Sequence, residues 1–241
     1  MRQRGFCMDA IRFFVGFDRR RPTDYAGTVR SILDHCPGAQ ITPLLLPHFR
    51  ALRYYTRPTS ENKGVLFDEI SGAPMATEFA ISRFLVPFLC GYKGKAVFVD
   101  GDFLFRADPS VLLTSLRPDA AVAVVKHDHV DPAATKMDGQ PQTNYHRKNW
   151  SSLIVFNCEH PANAALAPQH INSVPGRYLH AFQWLNDGDI QELPPEWNWL
   201  EGHSDPAIDP CAVHYTRGTP DVIGYDLPFA DEWRRIQERI A

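Results

Sequence analysis

Ala96-Val97-Phe98-Val99-Asp100-Gly101-Asp102-Phe103-Leu104-Phe105 is the stretch that decides how this chain reads. Residues 96–99 are apolar at consecutive positions, the pattern of a strand buried on both faces of a sheet. The run ends in two carboxylates separated by one glycine. Open α/β sheets bind ligands at the carboxyl ends of their strands. Two carboxylates this close repel each other unless a cation stands between them. Hard oxygen donors suit Mg²⁺ or Mn²⁺, and those ions suit diphosphates. Asp-Gly-Asp is also sound turn chemistry, so the triplet gains its weight from the rest of the chain.

Upstream, residues 11–18 read as a buried strand ending in Gly16 and Asp18. Residues 22–36 read as a helix, with Pro22 in its first turn and Tyr25, Val29, Ile32 and Leu33 at helical spacing. Residues 40–47 form a second strand whose prolines favour an edge. This β-α-β opening implies a parallel pair. Residues 56–76, with Pro58, Gly64, Gly72 and Pro74, read as loop; Thr77 then caps a helix running to about Cys90. Downstream come a short helix at 108–113, a buried strand at 120–125, an exposed loop at 126–148 and a strand at 152–157. A helix at 177–187, an extended aromatic segment at 192–199, a late strand at 211–216 and a turn at 217–220 follow. The fold class is α/β, a single domain with a mostly parallel central sheet flanked by helices.

The 241 residues are 44% hydrophobic and 22% charged, the balance of an ordinary globular protein. A net charge of −3 lacks the basic footprint of a nucleic-acid binder. Arg19-Arg20-Arg21 reads as a solvated loop. No apolar run reaches the roughly 20 residues that span a bilayer, and the N-terminus lacks the apolar core of a signal peptide. The 5 cysteines are scattered without a C-x-x-C pair, which fits reduced thiols and gives no zinc site. The expectation is a cytoplasmic protein without an integral membrane segment.

Several pieces stand in order: Ser82-Arg83-Phe84 before the acidic strand, Asp100-Gly101-Asp102, the strand at Ser151–Asn157, Leu193-Pro194-x-x-Trp197-Asn198, and His214-Tyr215-Thr216-x-Gly218. Together they resemble the GT-A nucleotide-sugar glycosyltransferases, most similar to glycosyltransferase family 8 and its relatives, from about Phe13 to Pro220. The resemblance implies one GT-A-like domain over 1–241, with a nucleotide-binding half at about 11–115 and an acceptor-side half at about 116–241. It implies that Asp100, Asp102 and His214 hold Mn²⁺ or Mg²⁺. It also implies that a UDP-sugar donates to a saccharide or other acceptor, in a hexosyl-type transfer with retention. Phe17, Asp18 and Tyr25 would line the uracil site, with Gly101 and Gly218 close to the nucleotide. Arg83 would approach the phosphates with its fork of donors, or form a salt bridge to a nearby carboxylate.

Two departures from the family pattern matter. Where the family carries an acidic-glutamine pair, this chain reads His180-Ala181-Phe182-Gln183-Trp184-Leu185-Asn186-Asp187. Gln183 is then the candidate to stabilise the cationic centre, and Asp187 or Asp189 the base if the reaction inverts. Where the family has a lysine after the late histidine, Arg217 is the substitute. Trp197 and Trp199 either stack on an acceptor sugar or pack in the core. Two rival readings are an aspartate-based phosphohydrolase with Asp100 as nucleophile and Asp102 as acid, and a non-catalytic nucleotide-sugar-binding module.

Overall fold

The computed structural model describes residues 11–127, 147 and 149–240. The chain opens with β1 (Arg12–Gly16), α1 (Pro22–His35) and β2 (Gln40–Leu44), followed by α2 (Leu46–Ala51). Next come β3 (Thr59–Asn62), β4 (Val65–Asp68) and β5 (Ala73–Pro74), then α3 (Val86–Leu89), β6 (Lys95–Val99), β7 (Phe103–Phe105), α4 (Val111–Ser115) and β8 (Val122–Val124). Then follow β9 (Leu153–Asn157), α5 (Pro168–Ile171), α6 (Gly176–His180), β10 (Ile190–Glu192), β11 (Trp199–Leu200), β12 (Ala212–His214), α7 (Pro220–Ile223) and α8 (Ala230–Gln237).

The central sheet runs in the order β10-β8-β9-β6-β1-β2. β1 pairs parallel with β2 and β6, and β10 with β8; β9 alone runs antiparallel to both of its neighbours. Alternate side chains feed two cores, as the period of two requires. Phe13, Val15, Val97 and Val99 pack with Ile32 of α1 on one face. Phe14, Phe98, Ile154 and Phe156 pack with Phe84 and Val86 on the other. Both faces are covered, so β6 reads as a continuous apolar run. β2 is an edge strand, where Pro43 costs no central hydrogen bond.

Several boundaries differ from the sequence expectation. The second strand stops at Leu44, because Pro47 sits in the first turn of α2, a position that suits proline. Residues 56–76 hold a small antiparallel sheet, β3-β4-β5, rather than loop alone. Its tight reversal puts Lys63 and Gly64 at φ +49° and +78°, so the glycine that reads as a loop signal belongs to a hairpin. No helix starts at Thr77. A 3₁₀ turn covers Ser82–Leu85 and only Val86–Leu89 is α-helical, with Pro87 in its first turn. The helix expected over 177–187 ends at His180, and Phe182 leaves it at φ +53°. Residues 192–199 do not stay extended: a 3₁₀ turn at Pro195–Asn198 separates β10 from β11. Most of the loop expected at 126–148 lies outside the described residues.

α7 and α8 lie beyond the stretch that the sequence patterns organise. α8 docks on α1 through Trp233, which is fully buried and donates from Nε1 to Asp221 Oδ2 at 2.7 Å. A Cβ on Gly27 of α1 would come within 2.6 Å of the Trp233 ring and 2.7 Å of Gln237 Nε2. Gly27→Leu therefore overpacks this seam. It should lower the unfolding free energy in urea by about 1–3 kcal/mol, whereas wild-type stability would contradict the docking.

Candidate metal and diphosphate site

The site starts at the carboxyl end of β6. The Asp100 backbone N–H donates to the Ser152 carbonyl at 2.8 Å, which fixes where the chain leaves the sheet. The turn closes through Gly101, where a Cβ would lie 2.3 Å from the Gly16 carbonyl oxygen. Backbone meets backbone there, so only glycine fits. β7 follows at once and pairs antiparallel with β12, placing His214 opposite Phe103. The Tyr215 N–H donates to the Asp102 carbonyl at 3.1 Å. The His214 imidazole stacks on the Phe103 ring, centroids 4.5 Å apart and 17° from parallel. As a result Asp100, Asp102 and His214 each offer a ligand atom within 4.8 Å of the others. His214 Nε2 stands 3.4 Å from Asp102 Oδ1.

Burial first, then the charges of Asp100 and Asp24, push the Asp102 carboxyl well above the usual carboxylate range. Its Oδ1 is buried and accepts no hydrogen bond among the described residues. Two carboxylates and an imidazole form a hard, mostly oxygen donor set, and a divalent cation relieves this repulsion as a proton would. The residues therefore fit a bound Mn²⁺ or Mg²⁺. Asp24, in the first turn of α1, is also raised by burial, against the hydrogen bond it accepts from the Thr219 hydroxyl at 2.8 Å.

Arg83 is buried and pairs with a carboxylate, Asp100 Oδ1, at 2.7 Å. It also donates to the carbonyls of Ser151 at 2.7 Å and Ala80 at 3.0 Å. Its guanidinium lies over the Phe98 and Phe79 rings, 4.8 and 5.3 Å from their centroids. Of the two readings open for this arginine, the ion pair is the one the structure contains, and its partner belongs to the acidic pair. Ser151 Oγ in turn lies 2.7 Å from His180 Nδ1. Burial and the Arg83 charge push His180 down to about 3, so the imidazole is neutral.

At the end of β1, Phe17 and Tyr25 meet edge to face with centroids 5.3 Å apart. Asp18 gives both oxygens to the Arg20 guanidinium, at 2.9 and 2.7 Å, and accepts the Glu78 N–H at 3.2 Å. Burial would raise this carboxyl, but the Arg20 hydrogen bonds hold it below its ordinary value. Arg19 pairs with Glu61 at 2.7 Å and with Glu78 at 3.0 Å. Arg19, Arg20 and Arg21 are exposed in a turn, as the solvated-loop reading expects, and from it Arg19 reaches Glu61 and Arg20 the Gly64 carbonyl of the β3–β4 hairpin. Arg217 is engaged by buried Glu201, with Nε to Oε2 at 2.9 Å, beside Gly218 at φ +130°. Gln183 is exposed after α6, and exposed Asp187 is ion-paired with Arg147. Asp189 accepts from the Asn186 N–H at 3.0 Å. Trp197 and Trp199 are both buried in the core, so packing accounts for them.

Sequence reasoning missed the Asp24–Thr219 pair and the contact of His180 with Ser151. Asp24 carried a usable signal, an acid in the first turn of the helix that follows β1. Nothing in the local pattern links His180 to Ser151, because they meet only through tertiary folding.

No protein-family model matches the chain. Protein CDI of Arabidopsis thaliana is 42% identical over 235 residues, 95% of this chain and 86% of that protein. Among solved structures, the bifunctional glycosyltransferase WbbM superposes with a TM-score of 0.63 at 16% identity, over 95% of this chain and 49% of its own. GlyE of Streptococcus pneumoniae TIGR4 gives 0.59 at 12% identity, over 94% of this chain and 60% of its own. An active-site mutant of LgtC gives 0.58 at 10% identity, over 95% of this chain and 96% of its own. The chain thus spans about half the length of WbbM and nearly all of LgtC. The fold is that of the GT-A glycosyltransferases.

The raised Asp102 carboxyl sets the sign of a stability effect. A carboxyl whose folded value lies above its unfolded value, about 3.9, stabilises the fold at low pH and loses that contribution as pH rises. Asp102→Asn should therefore raise the melting temperature of the metal-free protein at pH 7, with the gain shrinking toward pH 4. A thermal scan series showing destabilisation at pH 7 would contradict this electrostatic account.

Proposed function

This chain belongs to the family of Protein CDI, and from that premise and the site geometry we propose that it transfers a sugar, in the manner of a hexosyltransferase, from a UDP-sugar to a saccharide or other acceptor. The observation that carries the reading is the convergence of Asp100, Asp102 and His214 within 4.8 Å at the carboxyl end of β6. LgtC, a galactosyltransferase crystallised with donor and acceptor sugar analogues, supports it through a common fold. The order of motifs favours glycosyltransferase family 8.

Asp100, Asp102 and His214 would hold Mn²⁺ or Mg²⁺. When bound, such an ion supplies Lewis-acid stabilisation of the charge that develops on the leaving diphosphate. Arg83 pairs with the Asp100 carboxylate and aims it. Phe17 and Tyr25 present aromatic edges to the base, while Asp18 and its arginine partner fix the loop around it. Gly101 and Gly218 let backbone approach the diphosphate closely, and Arg217 is the cation nearest in sequence to that backbone. The half at about 11–115 binds the nucleotide and the half at about 116–241 receives the acceptor.

Attack from the leaving-group face retains the anomeric configuration and needs no strong base, which suits a site whose candidate base, Asp187, is paired with Arg147. Gln183 would then support the oxocarbenium-like transition state. The phosphohydrolase reading loses support because Phe103, Leu104 and Phe105 are buried in β7, where that chemistry wants a hydroxyl residue. The four described free cysteines fit a cytoplasmic setting, and no described helix is long and apolar enough to cross a membrane.

The test is UDP release from a panel of UDP-hexoses with an added saccharide. Release should require Mn²⁺ or Mg²⁺, stop with EDTA, and fall by about 100-fold in Asp102→Asn, which removes the charge of one ligand, and in His214→Ala, which removes another ligand outright. Release that survives EDTA would contradict the metal role. Turnover of p-nitrophenyl phosphate would favour the phosphohydrolase, and Mn²⁺-dependent UDP binding without release a binding module.

A further inference from the structure

Asp100 is supported from one short segment in two ways. The Ser152 carbonyl accepts its backbone N–H at 2.8 Å, and the Ser151 carbonyl shares the Arg83 Nη1 donor with its side chain, both at 2.7 Å. Residues 151 and 152 therefore set both the backbone and, through Arg83, the carboxylate of the first acid. This segment is a 3₁₀ turn, Trp150–Ser152, entered through Asn149 at φ +66°. A single turn of this kind is weak by itself, and it needs outside anchors. One is Asn198, fully buried, whose Nδ2 donates to Ser152 Oγ at 2.9 Å. Another is His180 at the end of α6, with Nδ1 2.7 Å from Ser151 Oγ and its ring edge-on to Phe84, centroids 5.2 Å apart.

We propose that His180 is a positioning residue for the metal site, acting through Ser151 and Arg83 to hold the Asp100 carboxylate in its ligating orientation. The path runs His180 Nδ1, Ser151 Oγ, Ser151 carbonyl, Arg83 guanidinium, Asp100 Oδ1, through hydrogen bonds and covalent links as far as Arg83 and an ion pair from Arg83 to Asp100. Outer partners of this kind orient metal-ligating side chains, and losing one typically costs about 10–100-fold in metal affinity or activity. The ring acts as a neutral hydrogen-bond partner; a charged one would stand against the Arg83 cation. An imidazole anchored on a serine supplies the fixing of Arg83 without adding another negative charge to those of Asp100, Asp102 and Asp24. The metal role of Asp100 rests on the proposed function; the fixing of Arg83 does not.

Two readouts separate these layers. Mn²⁺ affinity in the presence of UDP, by calorimetry, should fall about 10-fold in His180→Ala and in Ser151→Ala. The double variant should be no worse than the weaker-binding single, because both cut the same path. His180→Asn, whose amide can reach the Nδ1 position, should recover most of the affinity. In the metal-free protein, the ¹⁵N-NMR signal of the Arg83 Nε–H, assigned with Arg83→Lys, should be sharp in wild type and His180→Asn and broadened in both alanine variants. Additive losses in the double variant, or an unchanged Arg83 signal in the alanine variants, would overturn the proposal. Were wild type to bind no Mn²⁺, the proposed function would fall while the Arg83 signal still decided the positioning role.

Discussion

The antiparallel ladder between β7 and β12 is the interaction on which the site depends. It returns the late strand to the turn after β6, with His214 opposite Phe103 and the Tyr215 N–H on the Asp102 carbonyl. A slip of one residue in such a pairing would move every side chain to the other face. The register is held because both strands are buried along their length and because His214 stacks on Phe103. Without that register the imidazole and the acidic pair would share no space. The ladder is short, and its hydrogen bonds alone would not hold it. Trp199, Val213, Tyr215 and Trp233 pack beneath it and supply the apolar burial that does.

A second constraint is how closely the end of β1 and the acidic turn approach. The Gly16 carbonyl sits where a side chain at residue 101 would begin, and a side chain at residue 16 would meet the Phe79 ring at 2.5 Å. The two glycines let the ends of β1 and β6 meet with α1 directly above. That proximity brings Asp24 close enough to add its charge to those of Asp100 and Asp102. A polypeptide selected for stability alone would avoid three acids around one buried point. Strain of this electrostatic kind is a usual mark of a functional site.

What was legible in the sequence follows the range of the forces involved. β6 and the acidic turn could be read because full burial writes an unbroken apolar run and because Asp-Gly-Asp is contiguous. Pro43 marked an edge, and β2 lies at one. Segments that depend on turn geometry were harder. Lys63 and Gly64 in the left-handed region make a hairpin of what reads as loop, and Pro87 limits a periodic apolar pattern to one α-helical turn. Side-chain partners were hardest. Glu201 engages Arg217, Arg147 engages Asp187, and Arg20 occupies Asp18. Each is a long-range or loop-specific ion pair that leaves no periodicity behind. His214 could be nominated only because a recurring order of motifs points at it; its own neighbours say nothing about a metal.

The most direct measurement is a crystal structure with Mn²⁺ and UDP, using anomalous scattering to locate the ion. The account predicts one manganese peak bonded to oxygens of Asp100 and Asp102 and to a ring nitrogen of His214, with diphosphate oxygens filling the remaining positions. A manganese bound without the imidazole, or UDP seated away from the carboxyl end of β6, would contradict it.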